Sequence, residues 1–139
     1  MFSECTSLKD ISLPEGIESI GWGCFWNTSI ARVILPSSVT FFYDNSFPQN
    51  TIVTQSTHFS PEEVLTAEQV RNTLQNQQNM KSFRVPEGTK RLDVCCFRGT
   101  EVEEVFVPRS VEEIGLYAFS ECQKLERMVF EEGSELRKL

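Results

Sequence analysis

Phe2, Phe25, Phe47, Phe97 and Phe119 recur along this chain at intervals of 23, 22, 50 and 22 residues. The long interval is two periods with about half a dozen residues added, and a period of this length marks a solenoid rather than a compact enzyme domain. Units so short cannot bury an apolar face alone, so their stability has to come from stacking on their neighbours.

The residues between the phenylalanines repeat as well. Each coil opens on an apolar strand: Leu8-x-x-Ile11-x-Leu13, Ile30-x-x-Val33-x-Leu35, Met80-x-x-Phe83-x-Val85, Val102-x-x-Val105-x-Val107 and Leu125-x-x-Met128-x-Phe130. The last three positions alternate with the period of a strand. Pro14, Pro36, Pro86 and Pro108 follow directly, with Glu131 in that place in the last coil. A proline there cannot donate to a ladder and so ends the strand. A second apolar pair comes next (Ile17 with Ile20, Val39 with Phe42, Val111 with Ile114), then Gly21 or Gly115, whose place suits a bend with positive φ. Cys24-Phe25, Cys96-Phe97 and Ala118-Phe119 close the coil.

Written as L-x-x-I-x-L-P-x-x-[VI]-x-x-I-G-x-x-[AC]-F-x-x-[CT], this pattern resembles the BspA-like leucine-rich repeats, also called the Treponema pallidum type, over all but a central insertion. The resemblance implies an α/β repeat solenoid, mainly β, wound as a right-handed superhelix with a parallel sheet on its concave face. It also implies a non-catalytic protein-protein interaction module, an adhesion protein or surface antigen that binds a protein ligand through that face.

The expected organisation is N-terminal repeats over 1–55, a helical insertion over 56–79 and C-terminal repeats over 80–139, in one continuous solenoid with uncapped ends. The coil after Phe47 degrades through Asn50-Thr51-Ile52-Val53. Ser60-Pro61-Glu62-Glu63 is a strong helix start, and Thr66-Ala67-Glu68-Gln69 is a second one. Val64, Ala67, Val70 and Leu74 form a narrow apolar stripe. It suits a helix docked on the solenoid, and equally a helix that binds a partner.

Composition excludes more than it names. A net charge of −7 argues against a nucleic-acid partner, whose affinity comes from Lys and Arg. No apolar run is long enough to span a membrane. The five cysteines form no C-x-x-C or Cys/His cluster, so neither a metal nor a cofactor is expected, and their phasing predicts small, buried, reduced side chains. His58, the one histidine, has no nucleophile motif beside it, and adjacent Glu pairs on strands point to opposite faces, so no catalytic residues are predicted. Trp22 and Trp26 straddle Phe25 and read as core filling, with partial exposure at the opposite face as the alternative.

Binding is the chemistry that the pattern does support. Between the last two anchors of each strand, Ile34, Arg84, Phe106 and Val129 face outward, with Arg32, Glu104 and Arg127 in the flanking row. Three apolar residues in an outward row, beside arginines, predict an anchor patch with a charged rim. The competing reading is side-by-side packing on a sheet face. The ends carry no polar cap, which predicts self-association through them. An intracellular scaffold or assembly subunit using the insertion or the open ends is the alternative function. The resemblance implies a cell-surface location, and the first residues show no secretory pattern, which leaves a cytoplasmic one open.

Overall fold

A computed structural model describes residues 2–77 and 79–137. Gln78 of the polar run and Lys138-Leu139 of the apolar terminus lie outside the described residues. The chain is a mainly β repeat fold of parallel two- to four-residue strands with one α-helix, and it divides into two blocks, Met1–Thr57 and His58–Leu139.

In the N-terminal block, β1 (Ser19–Ile20) pairs in parallel with β3 (Phe41–Phe42), and β2 (Arg32–Leu35) pairs in parallel with β4 (Ile52–Gln55). Val33 and Leu35 point inward and are buried, while Arg32 and Ile34 point out. Phe25 stacks between Phe2 and Phe47 with ring centroids 5.3 Å apart on each side and planes within 6° of parallel. The repeating phenylalanine is therefore a continuous aromatic column in this block. Leu8–Leu13 keeps its in-out alternation but forms no ladder; Ser29 N donates to Leu8 O at 2.9 Å.

β4 is a coil that the periodicity does not reveal. Its register places Arg32 opposite Ile52 and Val33 opposite Val53, so Asn50 and Gln55 stand where Ile30 and Leu35 stand one coil earlier. Of the three anchors only Val53 is apolar. Asn50 is exposed, and side-chain hydrogen bonds hold the coil on either side of Val53: buried Thr51 donates from Oγ1 to Ile30 O at 2.7 Å, and Gln55 Nε2 donates to Val39 O at 2.8 Å.

The C-terminal block has two three-stranded parallel ladders. One runs β6 (Ser82–Arg84), β8 (Glu104–Val107), β10 (Arg127–Phe130); the other runs β5 (Val64–Leu65), β7 (Arg91–Leu92), β9 (Glu113–Ile114). Phe97 is fully buried, stacked on Phe119 at 5.0 Å and meeting Phe83 edge-on at 5.0 Å.

The expected helix start at Ser60 yields only a single 3-10 turn, Pro61–Glu63. It stops because the ladder claims the next carbonyls: Glu63 O accepts Lys90 N at 2.7 Å and Leu65 O accepts Asp93 N at 2.9 Å. The second start succeeds. The helix α1 (Ala67–Asn76) has Thr66 as its cap, with Thr66 N donating to Gln69 Oε1 at 3.0 Å. Its stripe is spent on the block's own core: Val70 is fully buried in the cluster that holds Phe83 and Phe97, and Leu74 packs against it. Residues 56–79 thus hold a strand in register with its neighbours, followed by a helix.

The glycines do something other than expected. Positive φ occurs two residues before the phased phenylalanines, at Gly23, Cys95 and Tyr117, and two residues after, at Glu4, Asn27, Gly99 and Glu121. Gly115 is not among them. A Cβ on Gly115 would lie 2.7 Å from Val94 N and 2.9 Å from the Asp93 carbonyl carbon, so the residue is small because a neighbouring backbone passes against it. A Cβ on Gly21, its counterpart in the N-terminal block, would meet nothing within 4 Å. Gly115→Ala is therefore expected to destabilise by about 1–3 kcal/mol, the usual cost of overpacking, and Gly21→Ala to leave stability within about 0.5 kcal/mol. Paired urea titrations check both.

Candidate functional site

The strand register decides which outward residues meet. In the C-terminal block Arg84, Phe106 and Val129 lie side by side across β6, β8 and β10, with Ser82, Glu104 and Arg127 in the row beside them. The Arg84 guanidinium carbon sits 4.7 Å above the Phe106 ring, a cation–π contact. Glu104 is the hub of the second row: Arg127 Nη1 is 3.0 Å from its Oε2 and Ser82 Oγ donates to its Oε1 at 3.3 Å. Phe106 is thus a half-buried anchor with one face under an arginine rather than an open apolar spot. Arg84, Val129, Glu87 and Glu131 join Phe106 around a depression of about 290 Å³ where the strands run into the Pro turn.

In the N-terminal block Arg32 and Ile34 project from the same face of β2, and Ile34 is 65% exposed. They line a depression of about 370 Å³ with Ser12, Glu15 and Pro36. Both depressions occupy the same place in the repeat, and each combines an outward apolar side chain, an arginine and a glutamate.

Other electrostatics are structural. Glu63 is held down at about 2 by its hydrogen bonds from Lys90 and Ser60, and the Lys90 ammonium stands 3.0 Å away across the β5–β7 ladder. Burial pushes the Cys96 thiol well up and raises Cys122, whose Sγ donates to Phe97 O at 2.9 Å. No disulfide joins the five cysteines. Cys95 and Cys96 are buried, but Cys5 is exposed, contrary to the phasing argument. A disulfide reagent should label Cys5 fastest and reach Cys95 and Cys96 only on unfolding. Mass mapping of the labelled thiols checks this, and early labelling of Cys96 would contradict it. Among the described residues no group of His, Cys, Asp and Glu is placed to hold a metal, and no helix is long and apolar enough to cross a membrane.

The sequence reading missed an aromatic surface in the N-terminal block. Trp22 is 73% exposed, and Trp26, Phe41 and Tyr43 are also exposed, so the tryptophans do not fill the core. Phe41-Phe42-Tyr43 held the signal: on a strand with Phe42 buried, both neighbours must face out.

The BspA-type leucine-rich repeat region model matches six copies over residues 1–59 and 68–138. The chain belongs to the BspA-type leucine-rich repeat family. Membership supports a protein-interaction repeat module, and repeats of this family are typically non-catalytic. Similar solved structures include the pneumococcal vaccine antigen PcpA (20% identity, TM-score 0.46, covering 95% of this chain and 37% of that one). A leucine rich cell surface protein from Faecalibacterium prausnitzii A2-165 is 24% identical, with TM-score 0.40 and coverage of 91% of this chain and 33% of that one. A leucine-rich repeat protein from Eubacterium ventriosum is 17% identical, with TM-score 0.38 and coverage of 95% and 43%. The BspA-type chain therefore spans less than half the length of each of these structures. No curated protein matches the sequence.

Proposed function

We propose that this chain is a non-catalytic binding module that holds a protein ligand, in adhesion or ligand capture, against the outward strand rows of its repeats. The observation that carries the reading is the recurrence of one depression at one repeat position: Arg32, Ile34 and Glu15 in one block, Arg84, Phe106, Val129 and Glu87 in the other. Exposed Ile34 contributes nothing to its own core, and a strand could carry a polar residue there at no loss. An apolar anchor ringed by Arg and Glu is the composition of a contact centre. The flanking residues Glu104 and Arg127 are paired to each other, which suits them to the rim of such a centre.

The test begins with a pull-down and mass spectrometry to obtain a partner. Ile34→Ser together with Phe106→Ser is then expected to abolish capture of that partner with circular dichroism unchanged. Phe106→Ser loses the Arg84 contact, about 0.5–1 kcal/mol, together with the buried part of the ring, so urea denaturation of the double variant is recorded beside the capture assay. Capture that persists in the folded double variant would contradict the reading.

A further inference from the structure

The aromatic surface of the N-terminal block lies on a different ladder from Arg32 and Ile34, and it has a shape of its own. The β1–β3 register sets Ser19 opposite Phe41 and Ile20 opposite Phe42, so its next step sets Gly21 beside Tyr43. The Ser46 hydroxyl locks that step: it accepts Tyr43 N at 2.9 Å and donates to Gly21 O at 2.9 Å. One coil thus presents two small residues, and the next presents Phe41 and Tyr43, whose rings meet edge-on at 5.0 Å. The space over Gly21 is open, and Trp22 stands beside it, largely exposed. The result is a slot with an aromatic wall and a glycine floor.

The equivalent place in the C-terminal block is closed by the backbone of Asp93 and Val94, with a guanidinium beside it. Seven residues after their prolines, Asp93 and Gly115 occupy the position of Gly21 and Tyr43, with the coils in the opposite order. Arg91 Nη2 lies 3.1 Å from the Cβ position of Gly115, behind the backbone contacts at 2.7 and 2.9 Å, and Asp93 and Glu113 neutralise it. Arg84 over Phe106 shows the same cation against an aromatic ring. Charge points the same way. The N-terminal block holds Glu4, Asp10, Glu15, Glu18 and Asp44 against Lys9 and Arg32.

We propose that the slot formed by Gly21, Trp22, Phe41 and Tyr43 binds an arginine side chain presented by an extended, basic segment of a partner protein. A guanidinium suits it better than an ammonium, because its flat faces stack on rings and it is more weakly hydrated. The excess of acidic over basic residues in the block supplies the countercharge.

The chain's only two tryptophans are Trp22 and Trp26, so two indole N–H resonances report on this surface. The full chain is titrated with acetyl-Gly-Arg-Gly-Arg-Gly-amide, with its lysine and glutamate counterparts, and with maltohexaose. The expected result is a saturable shift of the Trp22 resonance by the arginine peptide, a weaker response to lysine and none to glutamate or the sugar. Gly21→Leu fills the slot at a position with ordinary φ and open space, and it should weaken the arginine peptide about tenfold with the dichroism spectrum intact. Tyr43→Ser is a second variant and should weaken it as well. Four results would overturn the proposal: no saturable shift, equal response to lysine or maltohexaose, unchanged affinity in both variants, or indole shifts produced by protein concentration alone.

Discussion

Replacing Phe97 by alanine is expected to lower the stability of the C-terminal block by about 3–5 kcal/mol, the loss typical of a large buried aromatic. Phe97 is fully buried and holds three elements at once, through the Phe119 ring stacked on it, the Phe83 edge against it and the shared cluster with Val70 of α1. Truncation leaves a cavity that none of them can close, because each is fixed by its own coil. Phe2→Ala in the N-terminal block serves as a comparison. Its ring is 39% exposed and stacks on Phe25, so a loss of about 1 kcal/mol is expected. Urea denaturation followed by circular dichroism measures both. A Phe97→Ala loss no larger than that of Phe2→Ala would contradict the central place given to the aromatic column.

Arg91→Ala should be comparably severe, for an electrostatic reason. Arg91 is buried between Asp93, 3.6 Å away and itself 1% exposed, and Glu113, with which it forms a close ion pair. Asp93 also accepts the Val94 amide at 2.8 Å, which ties the carboxylate in place. Removing the guanidinium strands a buried carboxylate, and breaking such a pair costs about 3–5 kcal/mol. The exposed pair Arg109–Glu131 is the contrast: at 2.9 Å it is closer than Arg91–Asp93, but solvent screens it, and Arg109→Ala should cost far less than Arg91→Ala. Adding Asp93→Asn and Glu113→Gln to Arg91→Ala should recover part of the loss, because the stranded charges are gone. Equal losses for Arg91→Ala and Arg109→Ala would show that the buried cluster does not act as described.

The family and most of the coils were legible because one position, the phased phenylalanine, faces the same packing demand in nearly every coil. The strands around Val33, Phe83, Val105 and Met128 followed from alternation beside a proline. The strand Ile52–Gln55 escaped because buried Thr51 and half-buried Gln55 are held by side-chain hydrogen bonds and Asn50 is exposed, and a periodicity argument sees only apolar anchors. Val64–Leu65 escaped because the local helix signal at Ser60 is strong, and only the partner strand Arg91–Leu92 shows where those carbonyls go. Gly115 was read as a conformational residue when its reason is a backbone one coil away, which spacing cannot show.

Of the proposed binding row, alternation along the strand placed Ile34, Phe106 and Val129 outward. The Arg84 cap on Phe106 depends on register between coils and had no signal in either strand alone. The exposed pair Phe41 and Tyr43 was available from the buried Phe42 between them, once that residue is taken as the inward anchor.

Ring-to-ring nuclear Overhauser effects in a sample labelled only at phenylalanine interrogate the molecule most simply. Stacked repeats require cross-peaks linking Phe2 with Phe25, Phe25 with Phe47, and Phe97 with both Phe83 and Phe119. Rings that show no mutual contacts, or helical chemical shifts across Glu104–Val107, would mean that these aromatics do not line a common core of successive coils.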